Sequence, residues 1–217
     1  MKSQLVYLLG FLMFCFASQS SAVTYGFGCI TTPASDCGSI ASLLSLDVTD
    51  SGGGVTRFQI NVASGDNAAV KDIYFDDVTP SLLDFITADL DKSGGTLDGG
   101  GVDFQIPASG GTLPGGNPVG FVSSFTSSAA SPSGDNKNGI DNGEWLGISF
   151  IGTDFASILA ALDVGDLTIG LHIGSLDTDA GSASFTTTSA VPVPAAFWLF
   201  GSALVGFIGM SRRTKVS

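Results

Sequence analysis

Hydrophobic positions in the middle of this chain recur with a period of two. Leu44, Leu46 and Val48 alternate with polar residues, and Asp50-Ser51-Gly52-Gly53-Gly54 follows as a turn. Phe58, Ile60 and Val62 repeat the pattern before Ser64-Gly65-Asp66-Asn67. Further runs fall at Val70 to Phe75, Val102-Phe104-Ile106, Phe121 to Phe125 and Trp145 to Ile151. Leu167, Ile169, Leu171 and Ile173 alternate most cleanly, and Ala183 to Thr188 closes the set. Side chains alternate between the two faces of a strand, so each run predicts a half-buried strand. About eight short strands with turn residues between neighbours predict an all-β domain, a single β-sandwich of jelly-roll or immunoglobulin-like type. One segment departs from this period: Asp154 reads as an N-cap, with Phe155, Ile158, Leu159 and Leu162 on one helical face. The Gly- and Ser-rich stretch from Ser93 to Gly116 predicts a long loop around one strand, and Thr186 to Val191 a short linker.

The two ends follow other rules. Lys2, the apolar core Leu5 to Ala17 and the small residues Ser20-Ser21-Ala22 predict a secretory signal peptide over residues 1–22, with Val23 as the mature start. At the other end, the 16 residues from Ala195 to Met210 carry no charge. As a helix they cover about 24 Å, a little short of the hydrocarbon core, so the predicted span runs from about 195 to 211. Arg212, Arg213 and Lys215 follow it, and the positive-inside rule puts them in the cytoplasm. Type I topology follows, with a β-sandwich ectodomain over 23–188 and a targeting tail over 189–217. A plain C-terminal anchor is the simplest meaning of that tail.

Its order is more specific than an anchor requires. Val191-Pro192-Val193-Pro194-Ala195, then the helix with its Trp198-to-Leu204 run, then the basic end, resembles the PEP-CTERM sorting signals of Gram-negative bacteria, closest to the variant called VPLPA-CTERM. Val193 stands where that variant usually has Leu. The resemblance covers about an eighth of the chain. It implies processing by an exosortase near the Pro motif, from an inner-membrane-anchored form with its ectodomain in the periplasm. The product would be released to the cell surface or passed to an exopolysaccharide or surface acceptor. Ile73-Tyr74-Phe75-Asp76, Asn138 to Gly147 and Ile169 to Ile173 also resemble an ectodomain type recurrent among such proteins, which implies a β-rich exported module and no mechanism.

Charge and cysteine usage fit export. All 20 acidic residues lie between Asp36 and Asp179, and only Arg57, Lys71, Lys92 and Lys137 offset them, leaving −16 on the ectodomain. That balance argues against nucleic acid or anionic membrane surfaces as partners. Cys15 leaves with the signal peptide, so Cys29 and Cys37 form an even pair in an oxidising compartment and predict a disulfide.

Candidate chemistry is sparse. His172 is the sole histidine, on a strand face shared with Thr168 and Gly170, with no nucleophile at readable spacing. The stretch Asp135 to Glu144 is rich in oxygen donors, and Asp135, Asn136, Asn138, Asp141 and Glu144 could wrap Ca²⁺. It fails the EF-hand pattern, because placing Gly139 at the invariant glycine puts Gly134 at the first ligand position. A polar hairpin loop before the Trp145 strand is the simpler reading. Asp76-Asp77 with Asp141 and Glu144 could in principle supply a glycosidase carboxylate pair, although any acidic sandwich offers such pairs by chance. The sequence therefore points to a non-enzymatic, structural or binding protein at the cell surface or in the extracellular matrix. The alternatives are a Ca²⁺-dependent carbohydrate- or protein-binding module and, lower, a secreted glycoside hydrolase.

Overall fold

A computed structural model describes residues 22–31, 37–65, 69–77, 81–84, 89–92, 101–106, 111–130, 138–174 and 181–190. Their strands are β1 (Ala22–Cys29), β2 (Leu44–Gly52), β3 (Val55–Val62), β4 (Ala69–Asp76), β5 (Asp89–Lys92), β6 (Phe104–Gln105), β7 (Phe125–Ala129), β8 (Trp145–Ile151), β9 (Thr168–Gly174) and β10 (Ser182–Ala190). The helices are α1 (Cys37–Ala41) and α2 (Phe155–Val164). The all-β expectation holds in this form: one antiparallel sheet, in the order β5-β8-β3-β2-β1-β10-β9-β4-β7-β6.

The alternation read from the sequence sets the inner face. Leu46, Val48, Phe58, Ile60, Ile169, Leu171 and Ile173 are all fully buried, while the intervening Asp47, Gln59, Asn61 and His172 are half-buried. Four phenylalanines then join the far parts of the sheet. Phe150 on β8 lies 5.4 Å from Phe75 on β4 and 6.2 Å from Phe125 on β7, ring centre to ring centre. Phe58 on β3 meets Phe75 at 5.8 Å and Phe150 at 5.5 Å, both edge to face. β8 and β7 are each one strand in from opposite edges of the sheet, so these contacts require it to curl until it is nearly barrel-shaped. Edge-to-face pairs of this kind add about 0.5–1.5 kcal/mol each beyond the area they bury.

The local signals explain the turns. Between β2 and β3, Gly52, Gly53 and Gly54 all take positive φ (80°, 64° and 77°), and the Gly52 N–H donates to Asp50 Oδ1 at 2.8 Å. Only glycine takes three such conformations in succession without steric cost. Helix α2 starts where predicted: Asp154 Oδ2 accepts from the Ser157 N–H at 3.0 Å, and Gly165 at φ 85° ends it. Ile158, Ala161 and Leu162 are buried beneath it, and Phe155 and Leu159 pack against the same core.

Four expectations change. Phe121 to Ser124 is not strand, because its backbone donors are already engaged: Phe121 N–H by Gly116 O and Val122 N–H by the Asp76 carboxylate. The ladder with β4 therefore begins at Phe125. Thr186 to Ala190 is not linker but the second half of β10, paired with β1 through Phe27↔Thr187 and Tyr25↔Ala190. The folded unit thus extends past residue 188 to Ala190. The run Val102 to Ile106 contributes only the two-residue β6, and β1, β5 and α1 carry no signal that the alternation detects.

A second, small apolar cluster covers the outer face of β4 and β9. Tyr74, Leu113 and Phe121 pack there with Ile30 against Gly170. A methyl at Gly170 would stand 2.6 Å from Leu113 Cδ2 and 3.1 Å from the Phe121 ring. Gly170→Ala is expected to destabilise by about 1–3 kcal/mol in chemical denaturation, and adding Leu113→Ala to recover part of that loss. An unchanged midpoint for Gly170→Ala would mean that this cluster does not hold the loop to the sheet.

Candidate functional site

The oxygen-rich stretch singled out in the sequence is only partly described: Asp135 and Asn136 lie outside the described residues, whereas Asn138, Asp141 and Glu144 lie within them. Asn138 does not turn toward the other two, since its amide donates to Ala130 O. Asp141 to Glu144 forms a tight turn closed by the Glu144 N–H donating to Asp141 O at 2.9 Å. Gly143 supplies the left-handed conformation that this turn needs, at φ 78°. The turn is tied to the end of β3 by Gly143 N–H to Val62 O (2.8 Å) and Val62 N–H to Glu144 O (3.1 Å). Glu144 is 5% exposed, and its Oε2 accepts from the Asp141 N–H at 2.8 Å. Its Oε1, like Asn142 Oδ1, is buried without a hydrogen-bond partner. An unmet buried acceptor costs about 1–3 kcal/mol, and more when charged. Sequence reading named Glu144 but not Asn142, because burial and lack of a partner are properties of the packing alone.

Asp76 and Asp77 diverge. Asp76 Oδ2 accepts from the Val122 N–H at 2.8 Å, which pins the loop before β7. Asp77 is 2% exposed and accepts from the Leu82 and Leu83 N–H groups, at 3.0 and 2.8 Å to Oδ2, and from the Ser81 hydroxyl. Both carboxylates are thus occupied in holding loops.

His172 stands on the outer face of β9, as its position in the alternation implies. Its Nδ1 lies 3.2 Å from Ser184 Oγ, and it pairs across the ladder with Asp72 on one side and Ser184 on the other. Ser184 is fully buried and His172 half-buried, so the pair is a cross-strand tie. Burial holds the imidazole below its ordinary value of 6.5, with Asp72 opposing that shift and Lys71 adding to it.

The outer face of β1, β2, β3 and β8 carries a connected polar row. Thr24 donates to Asp47, Gln59 to Asn61 and Asn61 to Asp47, at 2.6, 2.6 and 2.9 Å. Arg57 continues the row by donating to Gln59, pairs with Asp91 at 3.1 Å, and lies 4.9 Å over the Trp145 ring. Gly147 makes this possible, since a side chain there would collide with the guanidinium. Cys29 and Cys37 lie at disulfide distance, Cα to Cα 5.7 Å, tying β1 to α1 as predicted. The sorting motif Val191-Pro192-Val193-Pro194-Ala195 and the basic Arg212, Arg213 and Lys215 lie outside the described residues, as does the predicted signal peptide up to Ser21. Among the described residues no helix is long and apolar enough to cross a membrane, and no three His, Cys, Asp or Glu side chains cluster as a metal site.

The depressed His172 gives a pH dependence with a defined sign. The unfolded chain protonates this imidazole near pH 6.5, and the folded chain only at lower pH, so stability is full above 6.5 and falls as the pH drops below it. Melting temperatures at pH 7.5, 6.5 and 5.5 are expected to decline for the wild type and to decline less for His172→Asn. Equal slopes for the two proteins would contradict this placement of the histidine.

No family model, no curated protein and no solved structure matches the chain.

Proposed function

We propose that this chain is an exported surface or extracellular-matrix protein, a curled β-sheet module without catalysis, delivered by a cleavable signal peptide and processed at its tail by an exosortase. The observation that carries this reading is the order Pro motif, apolar span and basic end over 191–217. Three features support it. Strand β10 runs to Ala190, the residue before the motif, so the sheet reaches the point where the tail begins. β1 and β10 are antiparallel with Tyr25 opposite Ala190, so both ends of the folded unit leave from the same side of the sheet. During export, before the leader is cut, that puts both membrane-directed segments at one end of the module. The cysteine pair and the acidic surface suit an oxidising exterior. Before processing, the helix holds the module at the inner membrane with its folded part in the periplasm. The partners are then the exosortase and an exopolysaccharide or surface acceptor.

A second reading, a Ca²⁺-dependent carbohydrate- or protein-binding module, is favoured by the two unpartnered oxygens in the Asp141–Glu144 turn.

The motif can be tested in the native host by cell fractionation of the wild type and of Pro192→Ala/Pro194→Ala. The wild type is expected outside the membrane fraction, and the double variant within it at full length. Equal release of both proteins would remove the motif from the account.

A further inference from the structure

We propose that the Asp141–Glu144 turn is a Ca²⁺ site built on Glu144 Oε1 and Asn142 Oδ1. This inference does not depend on the tail. Both atoms are acceptors, both are buried, and neither has a hydrogen-bond partner. They sit two residues apart in a turn whose backbone is fixed to β3 through two hydrogen bonds with Val62. A carboxylate that is nine-tenths buried calls for a positive partner, and among the described residues the one ion pair joins Arg57 to Asp91, with Arg57 also engaged by Gln59 and the Trp145 ring. A lone water could donate to both oxygens but would leave the charge of Glu144 uncompensated. A cation answers both needs.

The ligand chemistry selects the ion. A carboxylate, a side-chain amide and nearby hydroxyl and carbonyl oxygens form a hard donor set without nitrogen or sulfur, which suits Ca²⁺ and its irregular shells of six to eight oxygens. Ser64 adds a hydroxyl close by: a side chain at Gly143 would stand 3.3 Å from its Oγ. Glu144 Oε2 remains on the Asp141 N–H, so the carboxylate binds through one oxygen. Few protein ligands leave several shell positions to water, and the affinity then falls in the weak extracellular range, Kd on the order of 10⁻⁴ to 10⁻³ M. Such a site would be filled outside the cell and would lock the turn that feeds β8.

The test is thermal unfolding of the full chain in EDTA, in 5 mM CaCl₂ and in 5 mM MgCl₂, with calorimetric titration of CaCl₂ alone. The wild-type midpoint is expected to rise by about 2–5 °C in Ca²⁺ and by less in Mg²⁺. Glu144→Gln removes the unpartnered charge, so in EDTA it should melt no lower than the wild type, and it should lose the Ca²⁺ response. Asn142→Asp, which adds charge where the amide oxygen sits, should bind Ca²⁺ at least as tightly, and Asn142→Ala several-fold more weakly. A wild type indifferent to Ca²⁺ would overturn the proposal. So would a Glu144→Gln protein that keeps the full response, or one destabilised equally in EDTA and in Ca²⁺, which would make Glu144 only a clamp on the Asp141 N–H.

Discussion

The pairing of the first strand with the last holds the rest of this structure together. β1 lies between β2 and β10, and β10 connects it to β9, β4, β7 and β6. Without that seam the sheet divides into a β5-β8-β3-β2-β1 half and a β10-β9-β4-β7-β6 half, each with a new open edge. The seam is irregular: three residues of β1, from Tyr25 to Phe27, face four of β10, from Thr187 to Ala190. A bulge of this kind strengthens local twist, which favours a sheet that curls rather than one that lies flat. The curl brings Phe58 and Phe150 onto Phe75 and Phe125, and the aromatic cluster then secures from inside what the seam joins along the wall.

The seam also orders events. β10 follows every other described strand in the chain, so the sheet cannot be completed until the chain up to Ala190 is free to pair. In the proposed export route that moment comes when the apolar tail reaches the membrane, and the motif begins at Val191, the residue after β10. Folding and processing would thus meet at a single position. Outside the core, polar side chains mostly serve the sheet itself: Asp76 and Asp77 hold loops, His172 ties to Ser184, and the Thr24-to-Arg57 row links neighbouring strands. The turn at Asp141–Glu144 stands apart, with acceptors that the fold leaves unmet.

The strands with strict alternation were legible because each has one buried face. β8 was bounded correctly, and β3, β4 and β9 nearly so, and the Asp154 cap marked α2 through a local hydrogen bond. What was not legible depends on distant partners. β1 is broken by Gly26 and Gly28 and abuts the predicted signal segment, so only its pairing with β2 and β10 identifies it. The Thr186-to-Ala190 stretch carries no large apolar residue and reads as linker until β1 is beside it. The single curled sheet follows from which strands are neighbours, which periodicity does not encode. In the candidate turn, composition pointed to Glu144 and Asp141, but Asn138 turned away and Asn142 emerged only from its burial.

The intact mass of the protein recovered from its native host tests the functional account most directly. The account predicts a species that starts at Val23, ends near Pro194 and is two hydrogens lighter than its sequence because Cys29 and Cys37 are joined. A mass that still includes the chain to Ser217 would contradict it and leave an ordinary membrane anchor in its place.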